Sequence, residues 1–143
     1  MDWLSPYLLT AAIAWVVAQG LKYLIDAVVL RRLPTARQLY FSGGMPSAHS
    51  ALVVSLLVVV GYYNGLGSAV FAIMTAVAAI TMYDAVMVRR SSGEQGASLT
   101  ALIKEQKSAV RLPRVAKGHT PLEVLAGSLV GSSVATIVIF VVK

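Results

Sequence analysis

The sequence contains no cysteine, which removes disulfides, thiolate metal ligands and cysteine nucleophiles and leaves the fold to rest on packing alone. Charge is scarce too. Asp, Glu, Lys and Arg make up 13% of the 143 residues while 57% are hydrophobic, against roughly 25% charged residues in soluble globular domains. Such a chain reads as an integral membrane protein, with residues 1–143 forming one membrane-embedded domain. The six acidic residues are too few and too dispersed for an evident two-metal site, so neither a metal nor another cofactor is expected. A basic leader and a small-residue cleavage site are also missing before the first apolar run, which is therefore expected to stay as an anchor rather than leave as a signal peptide.

What is abundant is apolar sequence in long runs. Four stretches, roughly 3–21, 48–63, 66–88 and 121–142, approach the about 20 helical residues needed to cross a hydrocarbon core of roughly 30 Å. The expected fold is all-α, a membrane helical bundle of about four transmembrane helices. Between the second and third runs, "YYNGLG" offers Asn64, Gly65 and Gly67 and no charge, which predicts a tight hairpin. The connections 22–47 and 89–120 hold every Lys and Arg except Lys143: Lys22, Arg31, Arg32 and Arg37, then Arg89, Arg90, Lys104, Lys107, Arg111, Arg114 and Lys117. Four spans put both connections on one side, and the positive-inside bias makes that side the cytoplasm. The expected location is a bacterial inner (plasma) membrane.

The net charge of +6 raises the question of nucleic acid. The basic residues lie between apolar runs, not on a soluble face interleaved with aromatics, so no nucleic-acid partner is expected and anionic lipid headgroups are. Leu99, Leu102, Ile103 and Val110 fall near helical spacing among Lys104, Glu105 and Lys107, as a short interfacial helix would. In the fourth run, Gly127 and Ser128 precede Gly131 and Ser132 by four residues. That pattern serves close helix packing, within the bundle or in a homo-oligomer.

Polar groups at span ends are functional candidates because they are costly there. Lys22 ends the first span, His49 begins the second, Asp84 with Arg89 and Arg90 ends the third, and His119 with Glu123 begins the fourth. All reach one shallow depth on the cytoplasmic face. The set suits phosphoryl transfer: Lys22, Arg89 and Arg90 neutralise phosphate oxygens, and the backbone N–H groups of Gly44 to Ala48, with Ser47, form an anion cradle at a helix start. One histidine attacks phosphorus while the other protonates the leaving oxygen. Glu123, four residues after His119, is placed to fix that imidazole's tautomer and stabilise its charged form.

"GGMPSAHSA", "YDAVMVRRSSGEQ" and "GHTPLEVLAG" occur in that order, and together they resemble the divergent branch of the type 2 phosphatidic acid phosphatase superfamily, itself distantly similar to vanadium haloperoxidases. The resemblance covers most of the chain. It implies a phosphatase in which His49 is the general acid and His119 the nucleophile, with Glu123 as its carboxylate partner; Gly44, Gly118 and Asp84 are expected as supporting residues. The chain has Pro-Ser-Ala-His where the superfamily has Pro-Ser-Gly-His, and Glu123 where it has Asp. It lacks the Ser-Arg pair expected before His119, a place Arg89 and Arg90 could fill. The superfamily's Lys and Arg-Pro motif is echoed only by Lys22 and "RRLP".

Plainer roles exist for several of these residues. Lys22 could snorkel to the headgroups, Asp84 could pair with Arg89 or Arg90, and Ser47 could be an N-cap. Arg31, Arg32 and Arg37 suit topology determination and lipid contact. Two functions follow: a metal-independent phosphatase cleaving a lipid phosphomonoester of the phosphatidylglycerophosphate or phosphatidic acid type through a phosphohistidine, or a protein that binds or transports a phosphate or anionic headgroup without cleaving it.

Overall fold

The computed structural model describes residues 5–31, 33, 43–113, 115 and 118–142; Arg32, Arg37, Arg114, Lys117 and Lys143 lie outside them. Every described element is helical. Helix α1 spans Pro6–Leu30, α2 Ala48–Asn64 and α3 Ala69–Tyr83; a π-helical segment, Asp84–Val88, leads directly into α4, Arg89–Glu105, and α5 spans Pro121–Val142. Three continuous helices, Pro6–Leu30, Ala69–Glu105 and Pro121–Val142, are long and apolar enough to cross a membrane, and the apolar α2 is shorter at 17 residues. The protein is a membrane helical bundle.

Two expected helix ends are corrected. The first helix does not stop near residue 21, because Tyr23–Leu30 holds no proline or glycine and only one charged residue, Asp26; it runs until Arg31 takes a left-handed conformation with φ 50°. Lys22 therefore lies within a helix rather than at its end. The third helix does not stop at 88. Residues 89–105 contain no proline and many good helix formers, so their polarity ends the membrane span without ending the helix. The 15 residues of α3 and 5 of the π segment reach about 30 Å at about 1.5 Å per residue, and α4 continues beyond. Leu99, Leu102 and Ile103 belong to this continuation and not to a separate interfacial helix, while Val110 lies past its end.

The predicted hairpin is present. Gly65, at φ 82°, follows α2, and the Ser68 hydroxyl caps α3 by accepting from the Phe71 N–H at 3.1 Å. The Tyr7 hydroxyl donates to Asn64 Oδ1 at 2.7 Å, and Tyr7 meets Tyr63 edge-on, a polar and aromatic belt at the end of the bundle far from the histidines.

Helix α2 is central, packing on α1, α3 and α5, and α1 also packs on α5. The core is built from small residues: Ala14 with Val134 and Val138, Ala18 with Ala48 and Ala51, and Val59 with Ala135 and Ile139. Outward-facing Ile73, Val77 and Ile80 on α3 are exposed, a surface suited to lipid. Gly127 and Gly131 are where α5 meets α2 backbone to backbone: a Cβ on Gly127 would strike the Ser47 carbonyl oxygen, and one on Gly131 that of Ala51. The small-residue face is thus filled by the chain's own α2. Backbone cannot rotate away as a side chain can, so Gly131→Leu is expected to cost at least the roughly 1–3 kcal/mol of an overpacked core and to lower the melting temperature in detergent. Gly20 has open space around it, so Gly20→Ala should melt at or above the parent in the same experiment.

Candidate active site

The site grows from the start of α5. Thr120 and Glu123 form a reciprocal cap: the Glu123 N–H donates to Thr120 Oγ1 at 3.3 Å, and the Thr120 N–H to Glu123 Oε2 at 3.1 Å, with Pro121 opening the helix between them. The same Oε2 lies 3.0 Å from Nδ1 of His119. An ionised carboxylate only accepts, so in the neutral imidazole Nδ1 carries the hydrogen and Nε2 keeps the lone pair. The His119 side chain is 6% exposed and that of Glu123 19%, which shields the bond from competing water.

Two backbone contacts hold this loop. The His119 N–H donates to the Ala85 carbonyl at 3.0 Å, inside the π segment, where the wider turn re-aims carbonyls away from the helical ladder. Gly118 lies against the backbone of Arg90, too close for any Cβ. The requirement for glycine at 118 is therefore steric.

Ser47 ties α2 to α5. Its N–H donates to the Glu123 carbonyl at 3.0 Å, and its hydroxyl oxygen accepts from the Ser50 N–H at 3.3 Å and the Ser50 hydroxyl at 2.9 Å. Ser47 is fully buried, and its N–H, expected in the anion cradle, is already committed to Glu123. Its observed place is that of the N-cap. The Ser47 N–H bond to the Glu123 carbonyl sets the start of α2 beside the first turn of α5, and the exposed His49 side chain follows on the first turn of α2. His49 lies within electrostatic reach of Arg89, His119, Lys22 and Asp84.

Lys22 is buried at 6% exposure beneath the turn of Gly43 and Gly44, whose φ values are 112° and 90°. A side chain at Gly44 would meet Lys22 Cε at 3.1 Å and approach its Nζ at 3.8 Å. Lys22 lies within electrostatic reach of Asp26 and Glu123. Across the site, Arg89 Nε donates to Asp84 Oδ2 at 2.6 Å, a pairing at i,i+5 that the π turn aligns. Arg90 points elsewhere: its Nε meets Glu94 at 3.2 Å, and it lines an open cleft of about 330 Å³ with Gly93, Glu94, Val115, Gly118 and His119.

Lys22, His49, Asp84, Arg89, His119 and Glu123 thus converge from four segments, with Gly44 and Gly118 at the close approaches and Arg90 on the outer rim. Sequence reasoning missed Thr120, although Thr-x-x-Glu before an apolar run is a cap signature, and missed Asp26 and Glu94, each four residues after a basic site residue. The Ala85 carbonyl left no trace in the sequence. Among the described residues no three His, Asp or Glu side chains gather as metal ligands.

The sequence pattern of the Divergent PAP2 family matches residues 4–134. The chain is 35% identical over 147 aligned positions, 92% of each sequence, to a Bacillus subtilis protein named "Uncharacterized membrane protein YuiD". No solved structure matches. With a family pattern along nearly its whole length and a membrane-protein relative aligned over 92% of each sequence, this chain belongs to the Divergent PAP2 family.

Proposed function

We propose that this protein is a metal-independent lipid phosphate phosphatase working through a phosphohistidine on His119. The observation that carries the reading is the His119 Nδ1–H bond to Glu123 Oε2 at 3.0 Å, which leaves Nε2 unprotonated for attack and supports the imidazolium formed later. Nε2 attacks phosphorus, the bond from phosphorus to the lipid oxygen breaks, and His49 gives that oxygen a proton. Water then attacks the phosphohistidine, His49 takes the proton back, and phosphate leaves. Lys22 and Arg89 hold the phosphate oxygens, with Arg90 at the rim.

Hydrolysis in detergent over a panel of lipid phosphates tests this reading. Release of inorganic phosphate from phosphatidic acid or phosphatidylglycerophosphate is expected. Binding of these lipids without release would replace it with the headgroup-binding or transport function. Arg89→Ala should weaken vanadate inhibition about 10- to 100-fold, from roughly 1.5–3 kcal/mol per hydrogen bond to a charged group, and Arg90→Ala less, since Arg90 is paired with Glu94 on the rim. Equal loss in both variants would place the clamp differently.

The site faces the cytoplasm in this proposal, of a bacterial inner membrane, because the α2–α3 hairpin has no Lys or Arg while Lys104 and Lys107 follow the histidine end. Cysteine introduced at Asn64 should react with an impermeant thiol reagent in intact cells, and cysteine at Lys104 should not. The reverse labelling would turn the site outward.

A further inference from the structure

The π turn changes which carbonyl an amide of the third helix uses. In an α-helix the Arg89 N–H would donate to the Ala85 carbonyl, four residues back. Here it passes over Ala85 and donates to the Asp84 carbonyl, and the Ala85 carbonyl accepts from the His119 N–H at 3.0 Å. Ala85 is buried, so its carbonyl needs a partner within the fold. The Asp84 side chain spans the same five residues as the backbone bond, with Oδ2 accepting from Arg89 Nε at 2.6 Å. Asp84 and Arg89 are thus joined twice, once through the backbone and once through their side chains. An α-helical turn would set residues i and i+5 about 140° apart around the axis, which pulls the side-chain bond open.

We propose that Asp84 is a positioning residue that clips the π turn shut, keeping the Arg89 N–H off the Ala85 carbonyl and so reserving that carbonyl for the loop that carries His119. One turn then fixes two groups from separate segments: the Asp84 carboxylate holds the Arg89 guanidinium, and the Ala85 carbonyl holds the His119 backbone. Asp84 acts on His119 without touching substrate. The Arg89 and Asp84 side chains are 40% and 35% exposed, and a pair so open to water adds little to global stability. Its effect is local, a choice between two acceptors for one amide. Without the carboxylate the turn closes as α-helix, the Arg89 N–H takes the Ala85 carbonyl, and His119 loses its acceptor. The kinetic consequence rests on the phosphatase reading; the change of hydrogen-bond register does not.

The test uses the full-length protein in detergent. In Asp84→Ala the backbone amide resonances of Arg89 and His119 should both move, and hydrogen exchange at the His119 N–H should quicken by about tenfold, the protection that one hydrogen bond of ordinary net strength gives. Asp84→Asn, whose side-chain carbonyl still accepts from Nε, should leave both amides close to the parent. Arg89→Ala opens the same clip from its other end and should shift the His119 amide as Asp84→Ala does, with no further shift in the double variant. Unmoved Arg89 and His119 amides in Asp84→Ala overturn the proposal. A melting temperature far below the parent's overturns it too, because Asp84 would then support the whole fold. With a lipid phosphate as substrate, kcat should fall by as much as about 100-fold in Asp84→Ala, the scale set by misplacing a reacting group by an ångström, and recover most of that in Asp84→Asn. Equal losses in the two variants would make the charge matter rather than the bond, and end the clip. The expected amide shifts in a parent that releases no phosphate would keep the clip and overturn the phosphatase.

Discussion

His119→Ala is expected to lower turnover by roughly 10⁴-fold or more, the scale on which enzymes lose activity when a covalent nucleophile is removed, and to abolish any phosphoenzyme trapped by acid quench. The backbone reasons for retaining the fold are explicit. The His119 N–H to the Ala85 carbonyl and the Thr120–Glu123 cap do not use the imidazole, so the variant should keep the loop in place. Glu123→Gln separates orientation from attack: an amide can still accept from Nδ1–H, but it lacks the charge that stabilises the imidazolium. It should therefore retain more activity than His119→Ala and less than the parent. Full activity in His119→Ala would end the covalent mechanism.

His49→Ala should slow cleavage of an alkyl phosphate by roughly 10²–10⁴-fold, the usual contribution of general acid catalysis. An aryl phosphate should be spared much of that loss, because its leaving group departs without a proton. The division of labour follows from the surroundings of the two rings. His119 is buried, with its Nδ1 committed to Glu123. His49 is exposed on the first turn of α2, within electrostatic reach of Arg89, His119, Lys22 and Asp84. Equal losses on both substrates would remove His49 from the acid role, and a loss confined to His119→Ala on alkyl substrates would swap the two.

The four apolar helices, the hairpin at Asn64–Ser68 and the start of α2 were legible because each rests on local chemistry: long runs without charge, glycines at a turn, and Ser47 as a cap. The candidate residues were legible for the same reason, since a charged group near a membrane span stands out against its background. The ends of α1 and of the third helix were misjudged where polarity was taken for a helix stop. A change from lipid-compatible to water-compatible side chains alters the solvent of a helix and not its hydrogen bonds, so α4 simply continues from the membrane span.

By itself the sequence determined that this chain is a helical membrane protein, that its polar groups collect at one end, and that His119 and Glu123 share a helix face; these depend on composition and on spacings within one element. Only the tertiary structure decided which groups meet. The π turn at Asp84–Val88 pairs Asp84 with Arg89 and gives the Ala85 carbonyl to His119, the glycine contacts of α5 on α2 fix how closely those helices pack, and Lys22 comes to lie beneath the Gly43–Gly44 turn. Those relations join residues from separate segments through backbone approach and shared carboxylates, and no local pattern encodes the distance between two helices.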